Sequence, residues 1–353
     1  MNYLHLEPES PIGQRFKELS QDSRVSDFYL TANERLAYKR NGQMVYEDIV
    51  HTVEVPQHLE PGCVDSALDL HGRRYRVSQM VTKGRLRWVL RLLPQDIPAP
   101  ESIKVPEPAL KGFLEAKNGL FLICGATGSG KSTTIASMVL HRAKRRREHI
   151  ISFEDPIEFV YPENLPTLIS QREMGSDEVD FAGALRAALR QAPDVIIIGE
   201  IRDGETAEIA LQASETGHVV VATLHTSSAS QTVQRFLKLI PSERLDSSQA
   251  SLADSLRLIM CQRLLLDDRA GKRFPIHEVL LQYDGVVNII RQGDFKKLDQ
   301  ELETGWKRGM FNFDASLETR RNEGFSSQSM ASRTGFGWEE AREYLASQKE
   351  ITV

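Results

Sequence analysis

The chain has 353 residues, 41% apolar and 26% charged, with a formal charge of −5 and a sequence pI near 6.0. That is an ordinary globular balance, long enough for two domains, and nothing global in it points to direct nucleic-acid binding. Three scattered cysteines, Cys63, Cys124 and Cys261, form neither a disulfide framework nor a zinc signature and fit a reducing compartment. The opening MNYLHLEPES lacks the basic-then-apolar order of a signal peptide, and no apolar run is long enough to predict a transmembrane helix.

In chain order, IGQRFKELSQ (12–21) predicts a short amphipathic helix. DFYLTA and RLAYKRNGQMVYED alternate like strands, with a hairpin turn at Asn41-Gly42. RRYRVSQMVTKGRLRWVLRLL (73–93) predicts a second hairpin turning at Lys83-Gly84, so residues 1–93 read as a small α+β domain. A proline every few residues makes 94–108 a stiff linker. Residues 109–281 change character. GLFLIC, HIISFED (149–155), DVIIIGE (194–200) and HVVVATL (218–224) are apolar runs with almost no polar alternation. Helical stretches at 132–144, 181–192 and 204–215 separate them, which argues an α/β fold with a parallel sheet covered on both faces. Residues 282–353 read as a helical C-terminal region whose last helix covers 337–348. No internal repeat is present.

GATGSGKS (125–132) matches the phosphate-loop pattern, with a strand before it and a helix after it as the motif requires. Gly125, Gly128 and Gly130 let the backbone turn its N–H groups inward, so the loop from Gly125 through Ala126, Thr127, Ser129 and Gly130 to Thr133 is the expected phosphate cradle. Lys131 would reach the β- and γ-phosphates and the Ser132 hydroxyl would bind Mg²⁺, making ATP and Mg²⁺ the expected ligands. Glu200 ends a buried strand at the edge where such sites collect. Two roles are open for it: holding the metal through water, or orienting the attacking water. Glu154, Asp155 and Glu158 form a second acidic cluster around Pro156, suited either to metal coordination or to positioning water as a general base.

Together these blocks resemble the secretion-type ATPases of type IV pili and of type II and IV secretion, most of all the pilus-retraction branch. CGATGSGKSTT looks like the family's phosphate loop, with Ala126 where proline is commoner. ISFEDPIEF resembles its acidic box, in which Glu154 and Glu158 fall on the functional carboxylates and Glu158 on the usual general base. DVIIIGEIRD resembles its Walker B element, and TGHVVVATLHT its histidine box, with His218 and His225 both matched. SDFYLTANERLAYKRNGQM looks like a worn form of its N-terminal PAS-like domain. The tetracysteine motif of longer, assembly-type relatives is absent. The sequence also resembles the short ATPases of Dot/Icm-type secretion and conjugation. The resemblance implies a RecA-like core and a homo-hexameric ring that hydrolyses ATP. It further implies action on an inner-membrane pilus or secretion platform protein, with the ring cytoplasmic at the inner face of that membrane and attached peripherally through partners.

Between His71 and Pro94 lie Arg73, Arg74, Arg76, Arg85, Arg87 and Arg91, and no acid. Such a run is either a solvated basic face or a source of phosphate contacts. The resemblance favours Arg76 and Arg91 as nucleotide contacts, and Arg186, Arg190 and Arg202 are further candidates around the site. RAKRRREH (142–149) reads as a solvated face at a helix end. His218 and His225 bracket an apolar run, and their seven-residue offset puts them on opposite faces of a single strand, a poor arrangement for a shared metal. His225, at the phosphate-loop edge, is placed to sense γ-phosphate, and His218 to order a contact at the other end. A purely structural role for both stays open.

Overall fold

The computed structural model describes residues 6–7, 9–22, 24–31, 34–41, 43–50, 63–174, 180–267 and 272–325. The chain divides into two compact units. The first is built on residues up to Asp96 together with 154–160 and 173–174; the second on 97–153, 161–172 and the residues from Asp180 onward.

In the first unit, α1 (Pro11–Gln21) starts where the Ser10 side chain accepts a hydrogen bond from the Gly13 N–H and Pro11 sits at the first turn. Ile12, Phe16 and Leu19 recur at helical spacing and are buried. They lie with a sheet of β1 (Val25–Thr31), β2 (Arg35–Arg40), β3 (Gln43–Val50), β4 (Cys63–Leu70), β5 (Arg73–Thr82) and β6 (Arg85–Leu92). Its order is β3-β2-β1-β6-β5-β4 and all its pairings are antiparallel. The core is aromatic: the Phe16 ring lies 4.2 Å from that of Phe28 and 5.3 Å from that of Tyr75. Lys83 and Gly84, at φ 52° and 71°, turn the expected hairpin, and His71-Gly72, at 51° and 74°, turns an unforeseen one between β4 and β5. At the first expected turn Asn41 has φ 51°, whereas Gly42 lies outside the described residues.

The second unit contains α2 (Glu107–Glu115), β7 (Gly119–Cys124), α3 (Lys131–Ala143), β8 (His149–Glu154) and β9 (Leu168–Glu173) except for their last residues, α4 (Phe181–Ala188), β10 (Val195–Ile198), α5 (Gly204–Glu215) and β11 (Val219–Leu224). It continues through α6 (Ala229–Leu239), α7 (Leu245–Ser255), β12 (Leu256–Asp267), β13 (Lys272–Leu281), α8 (Asp284–Gln292), α9 (Lys297–Thr304) and α10 (Phe313–Asn322). The sheet order is β13-β12-β7-β11-β10-β8-β9. Strands β12, β7, β11, β10 and β8 run parallel, and β13 pairs antiparallel at the edge. Every residue of β7, β10 and β11 is buried, the signature of a parallel sheet covered on both faces. This is a mixed α/β, P-loop type of core.

Several local expectations are corrected. The helix expected over 181–192 stops at Ala188, and Ala192 takes a left-handed φ of 50°. Residues from Ile97 on pack with the second unit: the Ser137 hydroxyl donates to the Pro98 carbonyl at 2.7 Å and Arg320 to the Lys104 carbonyl at 3.1 Å. RAKRRREH is not a uniformly solvated face. Arg142 is 1% exposed, pairs with Glu148 at 2.7 Å and donates to the carbonyls of Phe113 and Ala116. A charge run hides such an anchor because local sequence does not show the carbonyls that α2 leaves unpaired at its end. The helix expected over 337–348 lies outside the described residues. Among the described residues no helix is long and apolar enough to cross a membrane.

Candidate nucleotide site

β7 delivers the chain to Gly125, which has φ 144°. A Cβ there would lie 2.4 Å from the Gln262 carbonyl oxygen, so only glycine fits. Gly130, at φ 90°, caps α3 without any side-chain hydrogen bond. The next three helices are different: Asp180, Asp203 and Ser228 each accept a first-turn N–H. Helix α3 thus starts without a side-chain cap from its N-cap residue, a condition that favours an anion there. Ala126, Thr127 and Gly128 are exposed, Ser129 is buried with an unpartnered hydroxyl, Ser132 is exposed and Thr133 half-buried. Lys131 Nζ lies over the loop and donates to the carbonyls of Gly125 and Ala126 at 2.7 and 3.2 Å.

Gln262, on β12, is the residue sequence reasoning missed. It is 3% exposed. Its Nε2 donates to the Ser129 carbonyl at 2.7 Å and its Oε1 accepts from the Thr134 hydroxyl at 2.8 Å, which ties the end of the loop to the first turns of α3. The parallel pairing sets Cys261 beside Cys124, so the next residue on β12 reaches the loop that follows β7. No short-range signal could have shown this. Both cysteines are free, and burial pushes the Cys261 thiol up.

Glu200 lies two residues past β10. The loop around it is held on both sides, by Gly199 N–H to the Phe153 carbonyl at 2.8 Å and Ile201 N–H to the Thr223 carbonyl at 3.0 Å. The Thr223 hydroxyl donates to the Gly199 carbonyl. One Glu200 oxygen meets His225 Nε2 at 3.3 Å and the other accepts from Arg202 Nε at 2.8 Å. His225 follows β11 directly, and Gly125 N–H donates to the Leu224 carbonyl at 3.3 Å, which sets the histidine beside the loop's first residue. A cleft of about 390 Å³ opens there, lined by Ala126, His225, Thr226, Gln231, Arg235 and Lys238 among others. His218 sits at the other end of β11, with Nδ1 3.0 Å from the Ala213 carbonyl at the end of α5. The two histidines therefore flank the strand and serve opposite ends. Arg186 pairs with Glu205. Among the described residues no group of three His, Cys, Asp or Glu side chains forms a metal cage.

Within the first unit, Tyr75, Val77 and Gln79 of β5 and Leu86, Trp88 and Leu90 of β6 turn to the buried face. Strand alternation puts Arg74, Arg76, Arg87 and Arg91 on the other. Arg76 and Arg91 are direct cross-strand partners, and Asp27 faces Arg91 on β1. Arg91 Nε donates to Asp27 at 2.9 Å. Burial of Asp27 opposes its ionisation, but hydrogen bonds from Ser26 and Arg91 outweigh that and hold its carboxyl below the usual range. Two arginines directly opposite each other repel, and the Asp27 carboxylate beside Arg91 offsets part of that. Glu154 closes β8, a cis peptide joins Asp155 to Pro156, and Glu158 is half-buried between buried Ile157 and Phe159.

The family described as type II/IV secretion system protein matches residues 64–299. An Escherichia coli K12 protein called YggR is 42% identical over 267 residues, 75% of this chain and 81% of that one. The twitching motility protein of Neisseria gonorrhoeae is 37% identical over 278 residues, 78% and 73% of the two chains. Among solved structures, the pilus retraction motor PilT with bound ADP matches at TM-score 0.76 and 34% identity, covering 88% of this chain and 97% of its own. The Legionella pneumophila ATPase DotB matches at TM-score 0.73 over 92% of this chain and 100% of its own; at 24% identity that is likeness of fold.

Proposed function

The chain belongs to the type II/IV secretion system protein family, and on that footing we propose that it is an ATP-hydrolysing motor that powers type IV pilus retraction. The observation that carries this reading is the nearly end-to-end correspondence with the retraction motor PilT. The uncapped start of α3 behind a glycine-rich loop supports triphosphate binding. In this reading the second unit is a RecA-like core and the first a PAS-like domain, an assignment that α1 and its six-stranded antiparallel sheet support.

ATP and Mg²⁺ fit the donor set. The absence of a carboxylate cage among the described residues suits a metal that takes most of its ligands from phosphate oxygens and water, leaving Ser132 and Glu200 as the protein's share. Bound Mg²⁺ supplies neutralisation of charge on the phosphate oxygens. Lys131 trades the carbonyls of Gly125 and Ala126 for phosphate oxygens, and the N–H groups from Ala126 to Thr133 donate alongside it. Glu158 holds and deprotonates the attacking water, with Glu154 as the second carboxylate of the box. His225 orients Glu200 and reads the terminal phosphate, while Arg76 and Arg91 bring positive charge to it. A homo-hexamer follows from the family reading. It would act on an inner-membrane platform protein from the cytoplasmic face, attached peripherally and without direct nucleic-acid contact.

Lys131→Ala should abolish phosphate release in a folded protein, and hydrolysis at the normal rate would overturn the site. A deletion strain should keep surface pili but lose their retraction. Loss of substrate export with retraction intact would move the protein to the secretion branch.

A further inference from the structure

We infer that Glu173 and Arg74 form a positioning clamp on the acidic loop and set the place of Glu158; this rests on the proposed role of Glu158 as general base. Residues 155–160 belong to no helix or strand, so their backbone groups need other partners. Both polar groups of the Ile157 backbone go to side chains. Its N–H donates to Glu173 Oε2 at 3.1 Å and its carbonyl accepts from Arg74 Nε at 3.0 Å. Arg74 Nη2 closes the ring by donating to the same Glu173 oxygen at 3.2 Å. The other Glu173 oxygen accepts from the Ala67 N–H of β4 at 3.1 Å, and Arg74 Nη1 pairs with Asp69 at 2.7 Å. One residue on, Met174 N–H donates to the Glu154 carbonyl at 2.8 Å, so the chain at 173–174 holds the acidic box on both sides of Pro156.

The chemistry of this clamp is unusual for a loop support. Glu173 is 7% exposed and Arg74 is half-buried. A buried ion pair adds little net stability compared with apolar residues of the same volume, and its best-attested use is to specify one arrangement. Here the arrangement specified is the peptide immediately before Glu158. The planar guanidinium satisfies a carbonyl and a carboxylate together, and the carboxylate satisfies two N–H groups and the guanidinium together, so shifting any member strands the rest. Ile157 and Phe159, both buried, anchor the loop on either side of Glu158. A water-activating carboxylate has to be held to a fraction of an ångström, and a displacement of about 1 Å costs on the order of 100-fold in rate. Glu173 and Arg74 touch no reacting atom in this scheme; they act through Glu158.

The test uses the full chain and the soft variants Glu173→Gln and Arg74→Lys. The first keeps the shape and loses the charge; the second keeps the charge and loses the Nε bond to Ile157. Each should lower kcat by about 10- to 100-fold with KM for ATP within about threefold, and should speed amide exchange in the peptide spanning residues 154–160. In a Glu158→Gln background, either variant should cost no further kcat. Normal kcat in both variants overturns the clamp, as does a loss in Glu158→Gln as large as in the parent. Glu158→Gln turning over at the wild-type rate instead overturns the base assignment, and is read independently of the exchange data.

Discussion

The phosphate loop's shape depends on Gln262 as well as on its own glycines, and Gln262→Leu tests this directly. Leucine keeps the volume and removes both hydrogen bonds. The Ser129 carbonyl then loses its 2.7 Å donor inside a site that is 3% exposed. A buried carbonyl left unpaired costs about 1–3 kcal/mol. The Thr134 hydroxyl loses its acceptor too, but it can rotate to bond the Gly130 carbonyl one turn back, so its share is about 0.5 kcal/mol. The sum is about 1.5–3.5 kcal/mol, falling mostly on the loop rather than on the whole unit. Amides of the loop and first turn of α3 should exchange about 10- to 300-fold faster, since each 1.4 kcal/mol is about a factor of ten. Hydrogen exchange read by mass spectrometry on a peptide covering the loop is the assay. Thr134→Val in the Gln262→Leu background should add less than it does alone, by about 1 kcal/mol in a double-mutant cycle. Unchanged exchange, or strict additivity, would mean that the glycines alone set the loop and that Gln262 is a bystander.

Gly130→Ala places a Cβ 2.8 Å from Gln262 Nε2 at a φ of +90°, and should lower the melting temperature through about 1–2 kcal/mol of strain. Arg142→Met should destabilise by about 2–4 kcal/mol in a urea titration because Glu148 is left with its 3.3 Å bond from Arg146 and two carbonyls lose the Arg142 donor, with Glu148→Gln recovering part of it. His277 is buried beside Arg320, and burial above all holds its pKa down to about 3. The unfolded chain therefore binds the extra proton between about pH 6.5 and 3, so stability is full above that window and falls as pH drops through it. Moving from about pH 7.5 to about pH 5.5 should cost about 1.4 kcal/mol, and His277→Phe should flatten that part of the profile.

What the sequence made legible was whatever short-range physics forces. A phosphate loop needs glycines at fixed intervals, because Gly125, Gly128 and Gly130 all take φ values that other residues resist. Short apolar runs such as those of β7, β10 and β11, separated by helical stretches, point to buried parallel strands. Arg142, Gln262 and Glu173 were not legible, because each owes its role to a partner brought close by the sheet rather than by the chain. Arg142 looked like the surface residues around it until α2 supplied the carbonyls. Gln262 looked like any strand residue until parallel register put it behind Ser129. Even His225, whose end of the strand was foreseen, showed no sign of its partner Glu200.

That pairing follows from topology. In the order β7-β11-β10 all three strands run the same way, so the loops that leave them must share one edge. Register makes this specific: Cys124 pairs with Leu224 and Ala222 with Ile198, so Gly125, His225 and the turn bearing Glu200 emerge side by side. A carboxylate at the sheet edge needs hydrogen-bonding neighbours to fix its direction, and the histidine that follows the next strand joins Arg202 in supplying them. The same histidine lines the cleft beside Ala126. One imidazole, at the end of a fully buried strand, therefore stands beside both the phosphate loop and Glu200. That strand's other end is tied by His218 to the last turn of α5. A rigid strand with a polar joint at each end can pass a small displacement along without absorbing it, because a close-packed interior does not deform to take it up.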